Sequence, residues 1–179
     1  MYKDQWIITF GGPDRCGKTS IAKEISRQYC IPYFKPSNQR QFAIQDPEQF
    51  QHQTRWGEPK LFDFLKQTGH SAILDRGYPC DWAYSVVFGR VTAWDTIEVL
   101  DQLYSTLRAV NVFTLRHDYA GLKDDTWSDV TEKRLVELDE AYQEYAIGAI
   151  TPTLVLFTDD QNLPKQVKTI IDFLQENRL

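Results

Sequence analysis

Short apolar runs alternate along this chain with longer stretches whose apolar residues recur at helical spacing. The run Trp6-Ile7-Ile8-Thr9-Phe10 ends at Gly11-Gly12 and predicts a buried strand that enters a turn. From Lys18 to Cys30, Ile21, Ala22, Ile25 and Tyr29 fall on one helical face. Ile31-Pro32-Tyr33-Phe34 predicts a second strand that stops at Pro36, and Asp46 to about Gln67 a mostly helical stretch broken near Gly57 to Pro59. Ser71-Ala72-Ile73-Leu74-Asp75 predicts a third strand, followed by helices over Asp81 to Phe88 and Thr92 to Arg108. Val110 to Leu115 predicts a fourth strand, and Ser128 to Ile150 a long helix with Val130, Leu135, Leu138, Tyr142, Tyr145 and Ala146 as its apolar stripe. Thr153 to Phe157 predicts a fifth strand and Leu163 to Leu174 a closing helix. Strands separated by helices imply a parallel sheet covered on both faces, with ligands expected at the carboxyl ends of its strands.

Composition narrows this picture only a little. The 179 residues fit one domain, residues 1–179, and show neither an internal repeat nor a low-complexity linker. The N-terminal residues lack a basic segment followed by a long apolar run, and no stretch of about 18 apolar residues occurs, so neither a secretory signal nor a membrane partner is expected. Cys16, Cys30 and Cys80 are odd in number and widely spaced, matching neither a disulfide framework nor a zinc site. A reducing cytoplasm is the expected compartment. A net charge of −5 gives no global basic footprint for nucleic acid, so nucleic acid is not an expected partner.

The chemistry enters after the first strand. Gly12-Pro13-Asp14-Arg15-Cys16-Gly17-Lys18-Thr19 satisfies the phosphate-loop pattern in full, between a predicted strand and a predicted helix. Glycines at Gly12 and Gly17 let backbone N–H groups curl inward toward phosphate oxygens at a helix N-terminus. Lys18 is expected to reach the β- and γ-phosphates, and Thr19 to ligate Mg²⁺; Ser20 completes the expected ATP phosphate site. The competing reading is a chance match in a glycine-containing turn. Inside the loop, Arg15 is suited to stabilise charge on a transferring phosphoryl group, and Asp14 to accept from a sugar hydroxyl of a second substrate. An ion pair between these two neighbours is the alternative. Asp75 ends the third strand, where a carboxylate can hold magnesium with Thr19, and Arg76 can grip a phosphate with its bidentate fork. The alternative is a solvated charged loop.

Taken together, the loop, Asp75-Arg76 and Ala83-Tyr84-Ser85 resemble the thymidylate kinase family, nucleoside monophosphate kinases that move the γ-phosphoryl group of ATP onto dTMP. The resemblance implies a three-layer α/β P-loop NTPase fold, with a five-stranded parallel sheet, helices on both faces and a short lid over about residues 117–129. It implies that Arg76 and Lys35 hold the acceptor phosphate and that Tyr84 packs where a 2′-hydroxyl would sit. It further implies that Arg55 bonds a pyrimidine carbonyl and Phe50 stacks on the base. Asp14-Arg15 in the loop, with Lys123 but no arginine in the lid, resembles the class that carries its catalytic arginine in the P-loop. Arg15, Lys18 and Asp75 are then the expected catalytic residues, ATP and a deoxynucleoside monophosphate the expected partners, and a homodimer through helices near Tyr78 to Leu107 the expected assembly.

Asp81 departs from the family. It stands where many members carry Asn or Gly beside the base, and an acid there repels a thymine carbonyl edge unless it is protonated or faces a donor. Trp56, Phe50 and Tyr84 can also be read as packing aromatics. Two other functions stay open. One is a kinase that phosphorylates a hydroxyl of a nucleoside or hydroxymethylpyrimidine, free or in DNA, with Asp75 as base. The other is a non-enzymatic nucleotide-binding module. His52, His70 and His117 are scattered and are expected to be surface or packing residues.

Overall fold

The computed structural model describes residues 5–35, 53–90, 93–122 and 130–177. Phe50, His52 and the lid residues 123–129, with Lys123, lie outside them. The strands are β1 (Ile7–Gly11), β2 (Tyr33–Phe34), β3 (Ala72–Asp75), β4 (Ala109–Leu115) and β5 (Thr153–Phe157). The helices are α1 (Lys18–Tyr29), α2 (Glu58–Thr68), α3 (Tyr78–Phe88), α4 (Trp94–Ser105), α5 (Glu132–Gly148) and α6 (Leu163–Glu176). All strands are parallel, in the order β2-β3-β1-β4-β5.

The strands are continuous apolar runs because both faces are buried. Alternation is still present, but it sorts residues between two cores rather than between core and water. Ile7, Ala72, Leu74, Ala109, Phe113 and Leu115 face one core with α2, α3, α4 and α5. Ile8, Phe10, Ile73, Val110 and Val112 face the other with α1 and α6. On the first side Asp101, buried in α4, accepts from Tyr78 Oη (3.0 Å) and from the backbone N–H of Ile150 (2.6 Å), tying α4 to the entry of β5.

Several boundaries differ from the expected ones, each for a local reason. Pro59 does not break a helix: a π-helical turn, Gln53–Gly57, leads into α2, and Pro59 sits in the first turn of α2, where a missing N–H costs nothing. α3 likewise starts at Tyr78 rather than Asp81, with Pro79 in its first turn. The long helix starts at Glu132, where the Thr131 side chain caps the N–H of Arg134, so Val130 is buried but precedes the helix. The second strand shrinks to two residues at the sheet edge.

Candidate active site

The carboxyl ends of β1, β2 and β3 converge on a cavity of about 360 Å³. Its walls are Asp14, Arg15, Gly17, Lys18, Thr19 and Ser20 from the loop, Lys35 after β2, and Asp75 and Arg76 at the end of β3. Sheet register places them together: Phe10 pairs with Asp75, and the Arg76 N–H continues the ladder to Phe10 O at 3.0 Å.

The loop bends where its glycines stand. Gly12 has φ +130°, and a Cβ there would sit 2.2 Å from the Thr114 carbonyl oxygen of β4. Gly17 has φ +75° and opens α1, whose first turn carries no acid. Arg15 (φ 65°) and Arg76 (φ 80°) occupy the same left-handed region with a Cβ, at a cost of about 1–3 kcal/mol each. Both strained residues are cationic and both line the cavity.

The charged groups interlock. Lys18 is 6% exposed and its ammonium donates to the Pro13 carbonyl. Burial lowers its pKa, the Arg76 charge adds to that, and Asp14 opposes it. Asp14 forms an ion pair with Arg76 and accepts from Tyr84 Oη at 3.4 Å. The acid expected to face a sugar is thus held by Arg76, the arginine expected to grip the acceptor phosphate. Two guanidinium groups approach the Tyr84 ring, Arg76 at 5.0 Å and Arg90 at 5.2 Å from its centre. Asp75 is 1% exposed. Its Oδ2 accepts from Thr19 Oγ1 (2.8 Å) and Tyr33 Oη (2.5 Å), with Lys35 Nζ at 3.7 Å. Its Oδ1 is buried without a hydrogen-bond partner among the described residues. Burial, reinforced by Asp75, pushes the Tyr33 hydroxyl up to about 12, so it stays a donor. An orphaned carboxylate oxygen beside a threonine hydroxyl is a hard oxygen donor set that fits Mg²⁺.

Arg55 is not brought into this cavity. It is exposed on the π-helical turn, 3.8 Å from Asp95 of α4. Trp56 is 63% exposed. Asp81 is buried in the first turn of α3, one turn before Tyr84. His70 stacks on Phe64, and His117 stacks on Phe157 and bonds Asp160, both away from the lining.

Three contributors to the site were not legible beforehand, Tyr33, Tyr119 and Asp139. Tyr33 bonds Asp75 across the sheet edge. Tyr119 and Asp139 tether the loop from outside: Cys16 Sγ lies 3.5 Å from Tyr119 Oη, which donates to Asp139 Oδ2 at 2.7 Å. No sequence signal marks these partners, which lie 103 and 20 residues apart.

Glu58 was not legible either. It opens α2, is 9% exposed, and its Oε2 has no hydrogen-bond partner among the described residues. Burial, then the charge of Asp81, pushes its carboxyl from 4.5 up to about 8. Its contribution to stability is therefore complete below about pH 4.5 and lost as pH rises through about 8. Thermal unfolding followed from about pH 5 to about pH 9 should show Glu58→Gln gaining on the wild type with rising pH, by on the order of 2 kcal/mol at the alkaline end. Parallel curves would remove this assignment.

No family model matches the chain, and no curated protein matches it. Solved structures do. The Bacillus subtilis YorR protein, in complex with phosphorylated GDP, has a TM-score of 0.66 at 20% identity, over 94% of this chain and 95% of that one. The deoxyadenosine kinase of M. mycoides with bound dATP has a TM-score of 0.59 at 18% identity, over 96% of this chain and 100% of that one. The same kinase with its products dCMP and a flexible dCDP has a TM-score of 0.55 at 15% identity, over 95% and 99% of the two chains. The chain therefore has the α/β fold of P-loop kinases, a five-stranded parallel sheet with helices on both faces. Among the described residues no helix is long and apolar enough to cross a membrane.

Proposed function

We propose that this protein is a kinase that moves the γ-phosphoryl group of ATP onto the 5′-phosphate of a deoxynucleoside monophosphate, with dTMP the acceptor that the family resemblance names. One observation carries the reading. The loop cations Arg15 and Lys18 share a single cavity with the acceptor-side cations Lys35 and Arg76 and with the buried Asp75. Four cations around one small cavity suit two polyanions brought end to end. In the transfer, an acceptor phosphate oxygen bonds the γ-phosphorus, the bond to the bridging β–γ oxygen breaks, and ADP leaves. The likeness to a deoxyadenosine kinase solved with dATP, and with dCMP and dCDP, supports a kinase that handles deoxynucleotides.

Lys18 exchanges the Pro13 carbonyl for phosphate oxygens, and the backbone N–H groups of residues 14–19 hold the β-phosphate. Arg15 faces the transferring group from the loop. Arg76, held in place by Asp14 and Tyr84, grips the acceptor phosphate, with Lys35 beside it. Thr19 and Asp75 are the residues that would hold Mg²⁺, which when bound neutralises phosphate charge. The acceptor phosphate is already ionised, so no general base is needed. A hydroxyl acceptor would instead need Asp75 as base through its Oδ1, unpartnered among the described residues, since Oδ2 is engaged by Thr19 and Tyr33. A homodimer belongs to the same reading: Val86, Trp94 and Val99 stand 48%, 44% and 51% exposed on the expected stretch.

The test is a panel with ATP and magnesium: dTMP, dUMP, 5-hydroxymethyl-dUMP, dCMP, dAMP, thymidine and hydroxymethylated DNA. A diphosphate product from at least one monophosphate is expected. Phosphorylation of thymidine but of no monophosphate would overturn the proposal. In the same assay Tyr84→Ala should relax discrimination against ribonucleotides by about tenfold, since the ring fills the space of a 2′-hydroxyl. Unchanged discrimination would remove Tyr84 from that role.

A further inference from the structure

We infer that Tyr119 is a positioning residue: braced by Asp139, its hydroxyl holds Cys16 and so fixes the left-handed turn that presents Arg15 to the transferring phosphoryl group. This role rests on the kinase reading and adds to it a residue that does not line the cavity.

Arg15 needs a hold. Its φ of 65° is a conformation that a residue with a Cβ keeps only where its surroundings fix it. The next residue, Cys16, is fully buried in a small core with Tyr119, Val130 and Leu135, separate from the two cores that flank the sheet. All three of these partners follow β4: Tyr119 and Val130 precede α5, and Leu135 lies in its first turns. On the other side of Arg15, Gly12 packs against Thr114 of β4. Residues from the end of β4 onward therefore grip the loop on both sides of Asp14-Arg15.

The hydroxyl of Tyr119 has one proton and two lone pairs, and all are engaged. It donates to Asp139 Oδ2 at 2.7 Å, accepts from the Arg116 N–H at 3.2 Å and meets Cys16 Sγ at 3.5 Å. Because the hydroxyl proton goes to Asp139, the thiol is the donor in the last contact. Burial pushes the Cys16 thiol up, so sulfur keeps the proton it gives. The other oxygen of Asp139 accepts from Gln143, one turn further along α5. Cys16, Tyr119 and Asp139 are 0%, 4% and 6% exposed, so water does not compete for these bonds. A thiol is a weak donor, so its contact sets where the turn lies more than how stable the fold is.

The experiment starts with Tyr119→Phe, which removes the hydroxyl and keeps the ring. With ATP and the best acceptor, kcat is expected to fall by about tenfold and KM for ATP to stay within about twofold, since a displaced catalytic group acts on the transfer step. In an Arg15→Ala background the same substitution should cost less than about twofold, because residues that act as one unit do not lose rate twice. An equal fold loss in both backgrounds, or no loss in either, overturns the assignment. Cys16→Ala cuts the brace from the loop side and should match Tyr119→Phe in both backgrounds; full activity in it overturns the assignment too. Thermal unfolding checks that each variant folds, and should Tyr119→Phe not fold, Cys16→Ala carries the same comparison.

Iodoacetamide labelling, read site by site by peptide mass mapping, needs no turnover. Tyr119→Phe should speed alkylation of Cys16 by about tenfold, through local opening of the loop, and leave the buried Cys80 at its wild-type rate. Equal acceleration at Cys16 and Cys80 makes Tyr119 a general structural residue and overturns the positioning role. If no acceptor is phosphorylated, the kinase reading fails by itself, and the labelling ratio still decides whether Tyr119 holds the loop.

Discussion

Replacing Arg15 by Ala is expected to lower kcat by on the order of a thousandfold while changing the affinity for ATP severalfold at most. The asymmetry follows from where charge develops. In the proposed ground state loop N–H groups and Lys18 hold the triphosphate, and the substitution leaves them in place. As the γ-phosphoryl group moves, its charge spreads over oxygens that a loop-borne guanidinium can meet. Arg15 is carried at φ 65° on the cavity wall, a conformation that a residue with a Cβ adopts at a cost. Arg15→Lys should recover only part of the rate, because an ammonium lacks the planar fork. Steady-state rates with ATP and the best acceptor, alongside ATP binding measured by calorimetry, separate the two effects. Unchanged turnover in Arg15→Ala would make Arg15 a surface residue.

Gly12→Ala should be comparably damaging by a different route. A Cβ at Gly12 would lie 2.2 Å from the Thr114 carbonyl oxygen, which is main chain of a central strand and cannot swing aside. The φ of +130° is also closed to alanine. The loop must therefore shift relative to β4, taking Lys18 and Arg15 with it. A misplacement of about 1 Å costs on the order of a hundredfold in rate. Stability should fall by about 2–3 kcal/mol, seen as a lower urea midpoint. Gly89→Ala is the control, since a Cβ there meets nothing within 4 Å, yet its φ is +60°. It should cost some stability and no activity. Full activity in Gly12→Ala would show that the loop tolerates displacement.

The candidate site was legible in parts, and the parts share a property. Gly12, Gly17, Lys18 and Thr19 lie within eight consecutive positions, and the strand before them and the helix after them are local patterns. Asp75-Arg76 was readable because an apolar run stops there. Arg55 rested on a pair of residue types matched without the surrounding chain, and the turn that carries it is exposed, with Arg55 3.8 Å from Asp95 rather than on the cavity wall. Pro59 and Pro79 were read as breaks or flanks when each opens a helix, since a proline is equally compatible with the outside of a helix and with its first turn.

The sequence by itself determined the alternation of strands and helices, the two-sided burial of the sheet and the phosphate loop. Each depends on periodicity or spacing within about twenty residues. The tertiary structure alone decided which charges meet. Asp14 pairs with Arg76 rather than serving only its neighbour, Tyr33 bonds Asp75, Tyr119 reaches Cys16, and Glu58 is buried at the start of α2. These partners are tens of residues apart, and the strand order β2-β3-β1-β4-β5 brings the loop between segments that follow it much later in the chain. Charge and burial depend on distance in space, so the raised pKa of Glu58 exists only once the helices have packed.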